Sequence, residues 1–386
     1  MNSYCIAPFI KINQEPGGRY RVCHWHKNNL EKEYDSIQDA FNGEEMESLR
    51  TKMLNNEYIE DCSKCYKTEE LGILSHRKVL TDIHFNRKLR FDKALTFGKI
   101  QNLEISFDNA CNFKCVSCAP DASSAWEDEV KEDWEYLGDH YKVFPRKVTN
   151  EQVKNSLNEE LISGLNYLNL LGGEPLFNRN YDESFFDLLD SSYDFEHALF
   201  SMSTNNSITP KGRWYKFLQK ANNLIINISI DGIDEVGEWV RYGFKQDRWD
   251  SNLEVWKKLV KNKPVKEITA GFKTGIMLYF IHHTLNMFNL KKVLEKYDVQ
   301  TLYEPLHGPE HLDPSYLPDS VKEDVYNEIE YYDKYHRDFV YNSLNMNSYN
   351  EEHCNMFVKF VEYLIVKRDV YPPDECLTVY KKLKGI

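Results

Sequence analysis

The stretch Cys111-Asn-Phe-Lys-Cys115-Val-Ser-Cys118 places three cysteines within eight residues, spaced C-x3-C-x2-C. Four thiolates close an iron–sulfur cubane completely. Three leave one iron open, and an open metal position is where a small molecule can bind and react. Such a triplet also arises from unrelated thiols or as part of a zinc knuckle. Four more cysteines lie upstream: Cys5, Cys23 and the C-x2-C pair Cys62 and Cys65. Four thiols suffice for a closed iron–sulfur cluster or for structural zinc, with His24 and His26 as substitute ligands. Cys354 and Cys376, in the tail, read as buried apolar thiols.

Around the cysteines, six short β-rich runs stand out: 103–107, 167–171, 198–204, 224–230, 267–278 and 299–303. Helical patterns fall between most of them. Thr149 to Gln152 forms a capping box, and the segment from Asp250 to Val260 carries apolar residues at helical spacing. Strands alternating with helices imply βαβ units and a parallel sheet. Six units predict an α/β fold, a partial (β/α)6 barrel, with a doubly wound sheet as the competing architecture. Polar motifs end four consecutive runs: the cysteine triplet, then Gly172-Gly173-Glu174-Pro175, then Ser203-Thr204-Asn205-Asn206, then Ser229-Ile-Asp231-Gly232. Barrel chemistry collects at these strand ends. Three regions follow: a Cys-containing part over 1–98, the barrel over 99–310, and a helical, tyrosine-rich extension over 311–386. The first boundary falls in the polar stretch before Gly98.

Composition bounds the possibilities. The 386 residues are 41% hydrophobic, with 25 Tyr and 21 Phe, enough for a large core. No apolar run is long enough to span a bilayer, and the start lacks the pattern of a signal peptide. Nine cysteines without an export signal predict a reducing, cytoplasmic setting. A formal charge of −13 and the lack of a basic tract disfavour nucleic acid as a partner.

The triplet after the first strand, followed by Gly172-Gly173-Glu174-Pro175, resembles the radical S-adenosylmethionine (SAM) superfamily. The resemblance implies a [4Fe-4S] cluster on Cys111, Cys115 and Cys118, whose open iron is chelated by SAM. It implies that Gly172, Gly173, Glu174 and Pro175 border the methionine portion and its amino group. Asn205 would lie near the methionine and ribose. Ser229 and Asp231 would meet the ribose hydroxyls, and Arg241 would pair with the SAM carboxylate through its planar fork. Turn capping and surface salt bridging are the ordinary alternatives for these polar residues. One departure from the family pattern is Ser117, where an aromatic residue often packs near adenine.

The N-terminal cysteines resemble the opening of SPASM and twitch auxiliary-cluster domains. Cys5 and Cys23 flank a hairpin whose turn is Pro16-Gly17-Gly18. The stretch from Cys62 to Arg77 fits the pattern CxxCxxxExxGxxSxR of proteins with an N-terminal twitch domain, matching at Glu69, Gly72, Ser75 and Arg77. This implies a second, auxiliary [4Fe-4S] cluster on Cys5, Cys23, Cys62 and Cys65. The expected activity is reductive SAM cleavage to a 5′-deoxyadenosyl radical, fed by an external low-potential donor of flavodoxin or ferredoxin type. Hydrogen abstraction from a small molecule or peptide would follow, with net dehydrogenation or crosslinking. A non-catalytic iron–sulfur or zinc-binding interaction protein on the same barrel is the alternative. His282, His283, Glu304 and His307 could face a substrate or serve structure, and the tail tyrosines, including Tyr331 and Tyr332, are expected to pack helices.

Overall fold

The computed structural model describes residues 3–70, 72–85, 98–142, 154, 156–269, 272–306, 308–330, 332 and 334–386. The capping box at 149–152, His307, Tyr331 and most of the polar stretch before Gly98 lie outside the described residues.

Twelve strands are described: β1 (Lys11–Glu15), β2 (Arg19–Arg21), β3 (Asn102–Ile105), β4 (Lys114–Cys115), β5 (Tyr167–Leu170), β6 (Leu199–Thr204), β7 (Asn223–Ser229), β8 (Arg241–Tyr242), β9 (Glu267–Thr269), β10 (Phe272–Lys273), β11 (Gly275–His282) and β12 (Thr301–Pro305). Eight form one sheet in the order β12-β11-β7-β6-β5-β3-β1-β2. All its pairings are parallel except β1 with β2. Helices fill the crossovers, including Glu183–Ser192, Gly212–Lys220, Gln246–Val260 and Leu290–Lys296. This is a mixed α/β fold built on a mostly parallel, open sheet, of the partial-barrel type.

Alternation along the strands gives the sheet two faces. Leu103, Leu168, Leu170, Phe200, Met202, Ile226, Ile228, Leu278 and Phe280 enter the main core. On the other face Tyr167, Leu199, Ile225 and Met277 meet Ile83 of the helix His76–Phe85. The C-terminal extension is helical over Asp319–Ile329, Lys334–Leu344, Glu351–Lys367 and Asp374–Lys384. Asn350 caps the third of these by accepting from the His353 N–H. Cys354 and Cys376 are buried in the core, as is Tyr332.

Three features differ from sequence expectation. The run 267–278 is not one strand. β9 and β10 pair antiparallel, and the long parallel strand starts at Gly275 and reaches His282. Thr274 closes the small hairpin by donating its N–H to Lys266 O at 2.8 Å, and Gly275 (φ +127°) redirects the chain into the sheet. The last strand begins at Thr301, two residues later than the run beginning at Val299 suggests. Third, the N-terminal hairpin continues the sheet: β1 pairs with β3, Ile12 opposite Leu103 and Asn13 opposite Glu104. Its turn, with Gly17 and Gly18 at positive φ, is where the sequence puts it.

Candidate active site

The cysteine loop leaves the end of β3 and is fixed from several sides. Ser124 Oγ accepts from the Cys111 N–H at 3.2 Å, and Ser123 Oγ donates to Phe113 O at 2.6 Å. Trp126 Nε1 donates to Cys115 O (3.0 Å) and Tyr141 Oη to Val116 O (2.7 Å). The two-residue strands β4 and β8 pair antiparallel, with Cys115 opposite Arg241. Arg368, from the C-terminal extension, donates to Lys114 O at 2.9 Å and to Trp239 O. It thereby ties the two sides of that pair together.

The three thiols converge. Cys115 and Cys118 share a hydrogen bond that pushes Cys115 toward thiolate and Cys118 well up. Burial raises the Cys111 thiol to about 11, with the charge of Cys115 adding to it. Asn205 Nδ2 points at Cys111 Sγ at 3.7 Å and donates to Asn112 Oδ1 at 3.0 Å. The Arg241 and Arg368 guanidiniums both favour the Cys115 thiolate. Three free, buried or half-buried thiols with cations and an amide directed at them form a donor set that fits a cluster held by three protein thiolates.

The loop after β5 packs against this one. Gly172 and Gly173 take φ +87° and +47°. A side chain on Gly172 would overlap Ser106, and one on Gly173 would overlap Ala110 O. Both glycines are thus required for the approach of this loop to the cysteine loop. Pro175 is buried beside them. The Glu174 N–H donates to Ala110 O at 2.8 Å. Its carboxylate is fully buried and accepts from Thr204 Oγ1 (2.9 Å), the Asn205 N–H (2.6 Å) and the Leu176 N–H (3.1 Å). Burial nevertheless raises its pKa to about 7. Asp108 adds a second tie, accepting from Asn178 Nδ2 at 2.8 Å and Asn180 Nδ2 at 2.5 Å.

Asp231 and Arg241 meet each other. Arg241 Nη1 donates to Asp231 Oδ2 at 2.7 Å, both side chains being buried. Burial works against the Arg241 charge, but Cys115 and Asp231 outweigh it and strengthen the cation. Its Nε has no partner among the described residues. Ser229 is half-buried at the end of β7, opposite Tyr279. His282 and His283 are fully buried, and burial lowers both to about 3. Asn112, Ser124, Trp126, Thr204 and Arg368 complete the surroundings. Asn112 and Thr204 lie inside motifs already named, whereas Ser124, Trp126 and Arg368 carry none and only proximity in the fold identifies them.

The four N-terminal cysteines also converge, lining one small cavity with Tyr66 and His76. Burial raises Cys5 and Cys65 to about 12 and pushes Cys62 further up, with mutual repulsion among the thiols contributing. Backbone N–H groups of Ala7, Trp25 and His26, and Arg77 are directed at the sulfurs of Cys5, Cys23 and Cys65 respectively. The four matching motif residues hold this site together. Arg77 binds Glu69 through two donors, at 2.6 and 2.5 Å, and Ser75 donates to the same carboxylate. Gly72 turns the chain at φ +75°. His26 lines the cavity, whereas His24 turns to Glu104, Nδ1 to Oε2 3.1 Å. Lys64 pairs with Glu304 of β12 at 3.6 Å and lies over Trp25. The acceptor–donor cluster of His24, His76 and Glu104 is completed by Lys11, whose Nζ lies 2.7 Å from Glu104 Oε1 and 3.0 Å from His76 Nε2.

Three cysteines, a Gly-Gly-Glu-Pro loop and a buried Asp–Arg pair thus gather at the strand ends of one mostly parallel sheet. Residues 105–289 match the profile of the Radical SAM superfamily, and the chain carries a radical SAM domain. The family implies SAM and a [4Fe-4S] cluster. The chain is 27% identical over 135 residues to GTP 3′,8-cyclase of Nautilia profundicola, covering 35% of this chain and 36% of the relative. It is 25% identical over 201 residues to GTP 3′,8-cyclase of Aliarcobacter butzleri, covering 52% of this chain and 50% of that one. The matches thus span half or less of these curated relatives. Among solved structures, Streptococcus suis SuiB bound to S-adenosylmethionine is similar at 14% identity and a TM-score of 0.37, covering 87% of this chain and 70% of that one. No helix among the described residues is long and apolar enough to cross a membrane.

Proposed function

We propose that this chain is a radical SAM enzyme catalysing a net oxidation, a dehydrogenation or crosslink, of a small molecule or peptide. The observation that carries it is the convergence of Cys111, Cys115 and Cys118 beside Asn205, Glu174 and Arg241 at one end of the parallel sheet. Cys111, Cys115 and Cys118 would hold a [4Fe-4S] cluster, which would supply the electron for reductive cleavage of SAM and so the radical that takes a hydrogen atom from the substrate. Arg241, with Nε free of a protein partner among the described residues, would receive the SAM carboxylate. Gly172, Gly173, Glu174 and Pro175 would shape the wall beside its amino group. Asn205, Ser229 and Asp231 would border the ribose. Cys5, Cys23, Cys62 and Cys65 would hold the auxiliary cluster, supplying an acceptor for the electron that a net oxidation releases; the accompanying proton goes to water. Residues 1–98 would act as this auxiliary unit, 99–310 as the SAM-cleaving barrel and 311–386 as its brace. A flavodoxin- or ferredoxin-like donor in the cytoplasm would provide reducing equivalents.

Anaerobic reconstitution, iron counting and assay of 5′-deoxyadenosine after reduction test this. Two cubanes predict ~8 Fe per chain, and Cys115→Ala abolishes SAM cleavage. Cleavage persisting with all three cysteines substituted overturns the assignment. Iron binding with no cleavage in the unsubstituted chain favours the non-catalytic alternative. Zinc at the N-terminal cysteines removes the electron-acceptor role.

A further inference from the structure

Asn205 follows directly on the last residue of β6 and is buried. Its partners fix how its amide is turned. Oδ1 accepts from the Ser207 N–H at 2.9 Å, and a backbone N–H can only donate, so the other corner of the amide is Nδ2. Nδ2 carries two hydrogens. It donates to Asn112 Oδ1 at 3.0 Å and to Cys111 Sγ at 3.7 Å. Both hydrogens are thus committed within the protein, which leaves only Oδ1 to face a ribose hydroxyl.

The backbone around Asn205 is built to hold that direction. Its own N–H is bonded to Glu174 Oε2 at 2.6 Å. The next residue, Asn206, takes φ +60°, a left-handed conformation that asparagine tolerates. Asn206 is anchored to the helix Gln246–Val260 through three bonds. Its Nδ2 donates to Trp249 O (2.8 Å), its Oδ1 accepts from Trp256 Nε1 (3.0 Å), and its carbonyl accepts from Asn252 Nδ2 (2.8 Å). The turn after β6 is therefore clamped on both sides of the amide.

The thiols of the triplet differ in what faces them. The Arg241 and Arg368 guanidiniums favour the charge on Cys115, whereas Cys111 is faced by neutral donors, among them the Phe113 N–H and the Asn205 amide. A hydrogen bond to a thiolate strengthens as negative charge on the sulfur grows. Reduction adds one electron to a cluster, so a donor on a ligating sulfur favours the reduced state and raises the potential.

We propose that Asn205 donates to the Cys111 thiolate and raises the reduction potential of the cluster that the triplet holds. The step it eases moves one electron from a flavodoxin- or ferredoxin-like donor, which is oxidised, to the cluster, which is reduced, with no bond made or broken. This rests on the iron–sulfur reading of the triplet in the proposed function, but not on SAM cleavage, because the potential is measured without SAM.

The test is redox titration of the reconstituted full chain without SAM, followed by electron paramagnetic resonance. The transition that Cys115→Ala lacks belongs to the triplet. Asn205→Asp keeps the shape and the acceptor for the Ser207 N–H but replaces the donor with an anionic oxygen. Asn205→Leu removes the donor without adding charge, and Asn112 Oδ1 keeps its bond from Ser207 Oγ at 3.1 Å. In both, at equal iron content, the triplet's potential falls, with the reduced-to-oxidised ratio at fixed potential dropping about tenfold, or about 59 mV for one electron. Ser207→Ala, which retains the backbone N–H on Asn205 Oδ1, leaves the potential in place. An unchanged or raised potential in the Asn205 variants overturns the proposal. So does an equal fall in Ser207→Ala, which marks a general loosening of the loop. Asn205 variants that fold but take up no triplet iron also overturn it, because the amide then serves assembly and not potential. Absence of 5′-deoxyadenosine from the reduced, unsubstituted chain counts against SAM cleavage alone, and a triplet without iron in that chain overturns both readings.

Discussion

Asp231 grips Arg241 in a buried ion pair of 2.7 Å, directly behind Cys115. A buried pair contributes modest net stability, but removing one partner strands the other charge. Asp231→Asn is therefore expected to destabilise by roughly 3–5 kcal/mol, read as the shift in urea-unfolding free energy. Removing both charges together, Asp231→Leu with Arg241→Met, recovers most of that loss while abolishing SAM binding. A single variant with less than ~1 kcal/mol of destabilisation shows that the pair is screened rather than buried.

Glu174 gives a pH signature. Burial raises its carboxyl from 4.5 to about 7, against the hydrogen bonds from Asn205, Leu176 and Thr204. The folded state thus holds a proton that the unfolded chain has released, so stability from this group is full below pH 4.5 and is lost as pH rises through about 7. Unfolding free energy measured from pH 4 to 8 should show this fall. Glu174→Gln should flatten it, since the amide keeps the shape without titrating. An identical slope in both proteins assigns it to other groups.

The parts of the site visible in the sequence are those with local signatures. Cys111, Cys115, Cys118 and the loop from Gly172 to Pro175 follow short apolar runs of strand length, and the fold sets both at strand ends. Arg368 had no such signature. It reaches Lys114 O across 254 residues, and a lone arginine in a helical tail says nothing of a carbonyl so distant in the chain. β1 was legible as a hairpin strand, but its parallel pairing with β3 is non-local. The run 267–278 was misleading because β propensity continues through Thr274, while the break depends on the backbone freedom of Gly275.

Arg77 is the clamp of the four-cysteine site. It binds Glu69 by two donors, reaches Tyr4 O at 3.3 Å and lies over the Tyr66 ring. A lysine cannot reproduce that fork. Arg77→Lys is expected to loosen the helix carrying Cys65 and lower iron in the reconstituted chain from ~8 toward ~4 per molecule. The remaining iron should still support 5′-deoxyadenosine formation, because the triplet is held by separate elements. Iron analysis alongside the nucleoside assay checks both halves, and full iron content in the variant would refute the clamp.

Gly173 sits where two loops come closest. Its φ of +47° is left-handed, and a methyl group there would run into Ala110 O, one residue before Cys111. Gly173→Ala must either strain the backbone, at about 1–2 kcal/mol, or push the Gly-Gly-Glu-Pro loop off the cysteine loop. The second response also breaks the Glu174 N–H bond to Ala110 O. The expected result is a lower melting temperature together with loss of SAM affinity. Gly72→Ala serves as the comparison: its φ of +75° is equally left-handed, but among the described residues, its chain neighbours aside, no atom lies within 4 Å of the added carbon. It should show the backbone strain alone, with SAM affinity retained. Equal losses of affinity in the two variants would mean that strain, not the close approach of the loops, governs the site.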